Sequence, residues 1–171
     1  MFREVIDKER ELDKTAALEI IKKGCYGVLS TIDENGYPYG VPVNYTWFDD
    51  CVCFHCAHKG HKIDNIQNSE KVSFCVVSKS DVLANEFDMD YESAIVFGKA
   101  SKVTDDTKKE NILLSILEKY SSEYMKAGKN YLKKFWDDTT VIIIKTDHIT
   151  GKAYNADSGT NLPPIPEQSC H

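Results

Sequence analysis

The feature that most limits the architecture is a run of β-like segments joined almost without slack. "CYGVLSTI" (25–32) leads through "DENG" into "YPYGVPVNYTWF" (37–48), which leads through "DD" into "CVCFHCA" (51–57). Strands tied by so few residues must pair antiparallel, because a parallel pair needs a crossover of a dozen residues or more. After the loop "HKGH" and a short predicted helix from Lys62 to Asn68, "KVSFCVVS" (71–78) supplies a fourth strand. "ESAIVFGKASKV" (92–103) and "TTVIIIKTDHIT" (139–150) bring the expected total to six. A doubly wound sheet would interleave helices with every strand, so the expected fold is mainly β with peripheral helices, an antiparallel barrel or sandwich.

Single residues refine this. Pro38 and Pro42 cannot donate to a ladder, which confines them to an edge, a bulge or a point where the strand leaves its neighbour. Gly98, inside a strand pattern, marks a bulge or a close backbone approach. Asp13 or Thr15 caps a first helix with Ala17, Ile20 and Ile21 on its apolar face and Gly24 at its end. Thr107 and Glu110 have capping-box spacing ahead of an apolar stripe at Ile112, Leu113, Ile116, Leu117 and Tyr120. A second helical stretch runs through Trp136, and Lys79 to Asp90 reads as a loop.

At 171 residues the chain suits one domain, assigned to 1–155, followed by a proline-bearing tail at 156–171. The formal charge of −6 offers no general attraction to nucleic acid. No apolar run approaches the ~18 residues of a membrane span, and the charged start "MFREVIDKERELDK" lacks the pattern of a signal peptide. The expectation is a cytoplasmic protein with no membrane or nucleic-acid partner. The six cysteines read as free thiols, since a core-rich chain of this size needs no disulfide framework. Arginine occurs only at positions 3 and 10, so anion recognition further along must use lysine, histidine or backbone amides.

The stretch "FHCAHKGHKIDNI" (54–66) gathers the chemistry. A zinc site would need a second ligand pair, and strand parity separates Cys51, Cys53 and His55 from Cys56. A redox CxxC sits at a helix N-terminus, whereas Cys53 and Cys56 fall inside a strand. An anion cradle fits a third way: His58, Lys59, His61 and Lys62 surround Gly60, which permits a tight turn, and Lys62 opens the next helix. In "VPVNY" (41–45) an interrupted backbone beside Asn44 offers the apolar contact and amide groups that a planar heterocycle needs.

Together, "PYGVPVNY" and "FHCAHKGHKIDNI" resemble the nitroimidazole-resistance (Nim-type) group of flavoproteins, within the FMN-binding split-barrel superfamily of pyridoxamine 5′-phosphate oxidase. The similarity runs from "FREVIDKER" through "GCYGVLST" and "SAIVFGKA" to "ITGKAYN". The resemblance implies a six-stranded split barrel and a homodimer with FMN in clefts at the subunit interface. It implies that His55, Ala57, Gly60 and Lys62, with Cys56 among them, surround the FMN phosphate and ribityl chain. It places Val43 and Asn44 beside the isoalloxazine and Ser93 at a further cofactor position. Pyridoxamine phosphate oxidases use arginine contacts that this chain lacks after Arg10, so vitamin B6 oxidation is disfavoured.

The expected activity is that of an FMN-dependent oxidoreductase, nitroreductase-like, acting on a small aromatic or nitro-aromatic substrate. His55 serves as a catalytic candidate or a hydrogen-bonded structural histidine, and Trp136 as a cap on the partner's flavin or as core packing. The alternatives are a flavin or haem carrier without turnover and a zinc-dependent interaction protein.

Overall fold

The computed structural model describes residues 2–154. Its elements in chain order are β1 (Glu11–Leu12), α1 (Lys14–Lys23), β2 (Gly27–Ile32), β3 (Pro38–Val43), β4 (Thr46–Phe48) and β5 (Cys51–Cys56). Then follow α2 (His61–Asn68), β6 (Lys71–Leu83), β7 (Asp88–Lys102), α3 (Asp106–Ser121), a 3₁₀ turn, α4 (Met125–Lys134) and β8 (Thr140–Tyr154). The predicted tail at 156–171 lies outside the described residues.

The sheet path is β3-β2-β6-β7-β8-β5-β4, with the short β1 added to β8, and every pairing is antiparallel. Its two ends, β3 and β4, are consecutive in sequence and separated only by Asn44 and Tyr45. A flat sheet cannot satisfy both conditions, so the sheet curls until its ends meet at that break, giving the expected split barrel. Eight strands replace the six expected because the predicted strand 37–48 divides at Asn44 and the two-residue β1 is added.

The barrel interior is filled by Leu29, Val52, Phe54, Phe74, Val76, Val96, Ile142 and Ile144, and α1 adds Ala17, Ile20 and Ile21 from one side. Asp13 caps α1 by accepting from the Ala16 amide at 2.8 Å. Gly24 ends that helix in an extended conformation; it is needed for space, since a Cβ there would stand 2.3 Å from Val76 Cγ1. A second cluster lies outside the barrel, where Ile112, Leu113 and Ile116 of α3 cover Cys51, Cys53 and Val141.

The structure corrects two local expectations. Residues 79–90 are not a loop but the far half of a β6–β7 hairpin arm, in register from Lys79↔Glu92 to Leu83↔Asp88. Few of its side chains reach a core, which removes the alternating pattern that reveals a strand; a Lys79–Asp90 ion pair at 2.6 Å ties its two strands instead. The cap of α3 is Asp105, accepting from the Lys108 amide at 2.7 Å, rather than Thr107. The earlier carboxylate satisfies a different first-turn amide, that of Lys108 rather than Glu110, and starts the helix two residues upstream.

Candidate functional site

β3 occupies one end of the sheet path and pairs only with β2, so its other edge keeps backbone N–H and C=O groups unladdered. Pro38 and Pro42 are tolerated for that reason. Val41 and Val43 turn toward the barrel core, while Pro38, Gly40, Pro42 and Asn44 face outward. Val43 therefore presents backbone to the edge, while the exposed Asn44 turns its side-chain nitrogen toward the segment leading into β2, donating to the Cys25 carbonyl at 3.2 Å.

At the start of this strand, the ring of Tyr39 lies against that of His61, the first residue of α2, with centroids 4.1 Å apart. The N-cap of α2 is Gly60 at φ +130°, a conformation that a side chain rarely adopts, with open space where a Cβ would stand. It provides no side-chain acceptor for the first amides of the helix. The Ile63 and Asp64 amides donate to the Gly60 carbonyl at 2.7 and 3.2 Å, so what the turn offers an anion is the His61 and Lys62 amides, the positive end of the helix dipole and the half-buried Lys62. Lys62 also stands close enough to Cys56 for its charge to stabilise the thiolate, opposing the burial that pushes the Cys56 thiol up. From Tyr39 to Val43 the strand advances ~13 Å, so β3 has the glycine-capped, lysine-bearing start of α2 near one end and the break at Asn44 at the other.

The remaining predicted residues fall as follows. Ala57 is exposed in the loop after β5. His55 follows Cys51 and Cys53 on the α3-facing side of β5; part of the residue is open to solvent, while the packing around its ring lowers the pKa by loss of solvation and so favours the neutral imidazole. His58 is not free in the cradle. Its Nδ1 contacts Thr140 Oγ1 at 2.5 Å and its Nε2 contacts the Asp137 carbonyl, which ties the loop to the start of β8. Trp136 packs against the α3 cluster with the Lys109 ammonium 4.3 Å from the centre of its ring.

Ser93 is not brought to this site within one subunit. It lies on β7, three strands along the path from β3, or ~14 Å across the sheet. There it lines a separate groove of about 380 Å³ with Arg3, Ile6, Ile95 and Lys152.

Cys51 and Cys53 are buried packing atoms. Burial raises the Cys53 thiol to about 12, so a nucleophilic thiolate is strongly disfavoured. Among the described residues no three His, Cys, Asp or Glu side chains group in a way that could hold a metal ion. None of the described helices is long and apolar enough to cross a membrane.

Sequence reasoning missed the group that surrounds the β3–β4 break. Tyr120, on α3, accepts a hydrogen bond from the Tyr45 amide at 3.0 Å, and its hydroxyl lies 2.8 Å from the Cys25 carbonyl and 2.7 Å from that of Tyr45. Lys119 donates to the Gly24 carbonyl at 2.7 Å and sits 4.0 Å from the centre of the Tyr45 ring. The helical stripe had marked Tyr120 as apolar, and nothing local signals that its hydroxyl serves residues 95 positions away.

The architecture is that of a split β-barrel whose edge strand runs from the start of α2 to the break at Asn44. Residues 13–153 match the family model described as pyridoxamine 5′-phosphate oxidase, and the chain belongs to that family. No match was found among curated proteins. Solved structures agree on the fold. A candidate 5-nitroimidazole antibiotic resistance protein from Bacteroides thetaiotaomicron is 23% identical, with 83% of this chain and 85% of that one covered at a TM-score of 0.69. The flavocytochrome Anf3 from Azotobacter vinelandii is 16% identical over 92% of this chain and 83% of that one, at 0.70. An FAD-binding protein from Mesorhizobium loti is 16% identical over 85% and 98%, at 0.65.

Proposed function

We propose that this chain is a flavin-dependent oxidoreductase, with FMN as the cofactor, that reduces a small aromatic or nitro-aromatic compound. The observation that carries the reading is the two-ended ligand edge of β3. A capless helix start with Lys62 suits a phosphate, and the amide of Asn44 suits the pyrimidine edge of a heterocycle at the other end. The donor set fits the group: Lys62 and the amides after Gly60 hold the phosphate, the free edge of β3 lies along the ribityl chain, and Asn44 meets the ring. The flavin supplies hydride transfer; the protein supplies binding, orientation and exclusion of water. A neutral His55 suits a proton-relay role at the substrate side, as an acceptor or donor without a fixed charge. The flavin- and haem-binding neighbours keep a carrier without turnover as the second reading.

The visible spectrum of freshly purified protein, or of protein incubated with FMN and desalted, is the first test. Flavin bands that bleach anaerobically with a nicotinamide donor and return on adding a nitro-aromatic are the expected result. A haem spectrum, or flavin that is retained but never reduced, turns the assignment to a carrier. Protein that retains no flavin at all sinks the flavin reading.

The same reading needs two subunits, because Ser93 lies too far from β3 to share its ligand within one chain. The outer face of β2, β6 and β7 supports it: Val28, Cys75, Val77 and Ile95 stand outside the barrel there, with Val77 46% and Ile95 36% exposed. A second copy covering this face would remove apolar surface from water on both partners. Sedimentation at micromolar concentration is expected to give a dimer, and Ile95→Glu to shift it toward monomer. A wild-type monomer that still binds flavin would overturn the shared-cleft arrangement.

A further inference from the structure

The break at Asn44 and Tyr45 leaves the ladder, and α3 takes over its hydrogen bonding. Two adjacent residues of that helix hold two successive peptide carbonyls: Lys119 donates to the Gly24 carbonyl and the Tyr120 hydroxyl lies 2.8 Å from the Cys25 carbonyl. The Asn44 side chain joins this group through Nδ2, which donates to the same Cys25 carbonyl at 3.2 Å. A carbonyl oxygen only accepts, so chemistry settles which end of the Asn44 amide faces it. The nitrogen is turned inward. The planar amide then directs Oδ1 to the opposite side, at an exposed position.

We infer that Asn44 is locked as a hydrogen-bond acceptor toward the ligand, so that the site selects rings carrying an imide N–H, and that Tyr120 is the positioning residue of the lock. This rests on the flavin reading above. The pyrimidine edge of a flavin presents one donor, N3–H, between two carbonyls, so a lone outward acceptor reads that edge through the donor alone. Tyr120 contributes by fixing the Cys25 carbonyl, to which Asn44 donates, and Tyr45, the next residue along the chain. It holds Cys25 through its carbonyl and Tyr45 through its amide, leaving the intervening side chain one hydrogen-bonded orientation. Burial disfavours ionisation of Tyr120, which preserves the hydroxyl as a donor in this role.

The probes are riboflavin and its N3-methyl derivative, titrated into the apo-protein by flavin fluorescence. Neither carries a phosphate, so the cradle at Lys62 does not contribute. Wild type is expected to favour riboflavin by about ten- to a hundredfold, because methylation removes the donor and leaves Oδ1 unpaired. Asn44→Leu keeps the volume without the acceptor and is expected to bring the ratio close to one; a ratio that stays high would show that bulk rather than hydrogen bonding excludes the methyl group. Tyr120→Phe is expected to lower the ratio several-fold while leaving the preference for FMN over riboflavin unchanged. Equal weakening of both probes by Tyr120→Phe would reduce Tyr120 to a structural role and overturn its assignment. If that variant does not fold, wild type and Asn44→Leu still decide the acceptor lock. Wild type that binds both probes equally defeats the inference alone, whereas wild type that binds neither of them nor FMN defeats the flavin reading beneath it.

Discussion

Lys62→Ala is expected to weaken FMN binding by ~30–150-fold, equivalent to 2–3 kcal/mol, through loss of a charge-assisted hydrogen bond to the phosphate dianion. The residue is half-buried beside the open turn at Gly60, within the first turn of α2, where the amides of a capless helix point the same way. Riboflavin lacks the phosphate and should lose far less affinity. Lys59, fully on the surface of the preceding loop, provides the contrast: Lys59→Ala should change FMN affinity by only ~0–1 kcal/mol. Fluorescence titration of apo-protein with both flavins measures all of these. If Lys62→Ala weakened FMN and riboflavin equally, or neither, the cradle would not be the phosphate site.

Gly98→Ala should destabilise the fold by about 2–3 kcal/mol, lowering the melting temperature by roughly 5–10 °C for a domain of this size. A Cβ at position 98 would stand 2.2 Å from the Lys145 carbonyl oxygen on the neighbouring β8 and 3.0 Å from Ile144 Cγ2. The first contact is backbone, so no rotamer change relieves it. The β7–β8 register already shifts between Phe97 and Gly98, and a longer separation there would spread along a pairing that continues from Lys99↔Lys145 to Lys102↔Ile142. Gly40→Ala is the control. Its Cβ would meet only Val28 Cγ1, at 3.5 Å, on an edge strand, and its expected effect is within about 0.5 kcal/mol. A thermal melt in which Gly98→Ala matched Gly40→Ala would show that the close approach does not exist.

These two predictions differ in how far they could be read from the sequence. Gly98 stood out locally, because a glycine inside a run of β-formers asks for a reason, and the reason proved to be a bulge against β8. Pro38 and Pro42 announced an interrupted edge strand in the same way, and Asp13 announced a helix start. The turn at Gly60 and the start of α2 were legible because they are contiguous in the chain, with Lys62 directly after them. His58 misled, since its charge and position suited the cradle while its partners, Thr140 and Asp137, come from the far end of the domain. The 79–90 arm was missed because its partners are chiefly each other and few of its side chains leave an inside-outside pattern.

By itself, the sequence determined the antiparallel pairing, the edge position of β3 and the composition of the anion loop, all of which follow from short connections and from what proline and glycine backbones allow. Only the tertiary structure decided that the sheet's two ends meet at Asn44, that α3 delivers Lys119 and Tyr120 to that break, and that Ser93 faces away from it. The Lys119 and Tyr120 contacts join segments distant in the chain, and all three features follow from curling the sheet to bury one face, which forces its edges together. Curvature of that kind is a property of the packed core, and periodicity along a single strand carries no record of it.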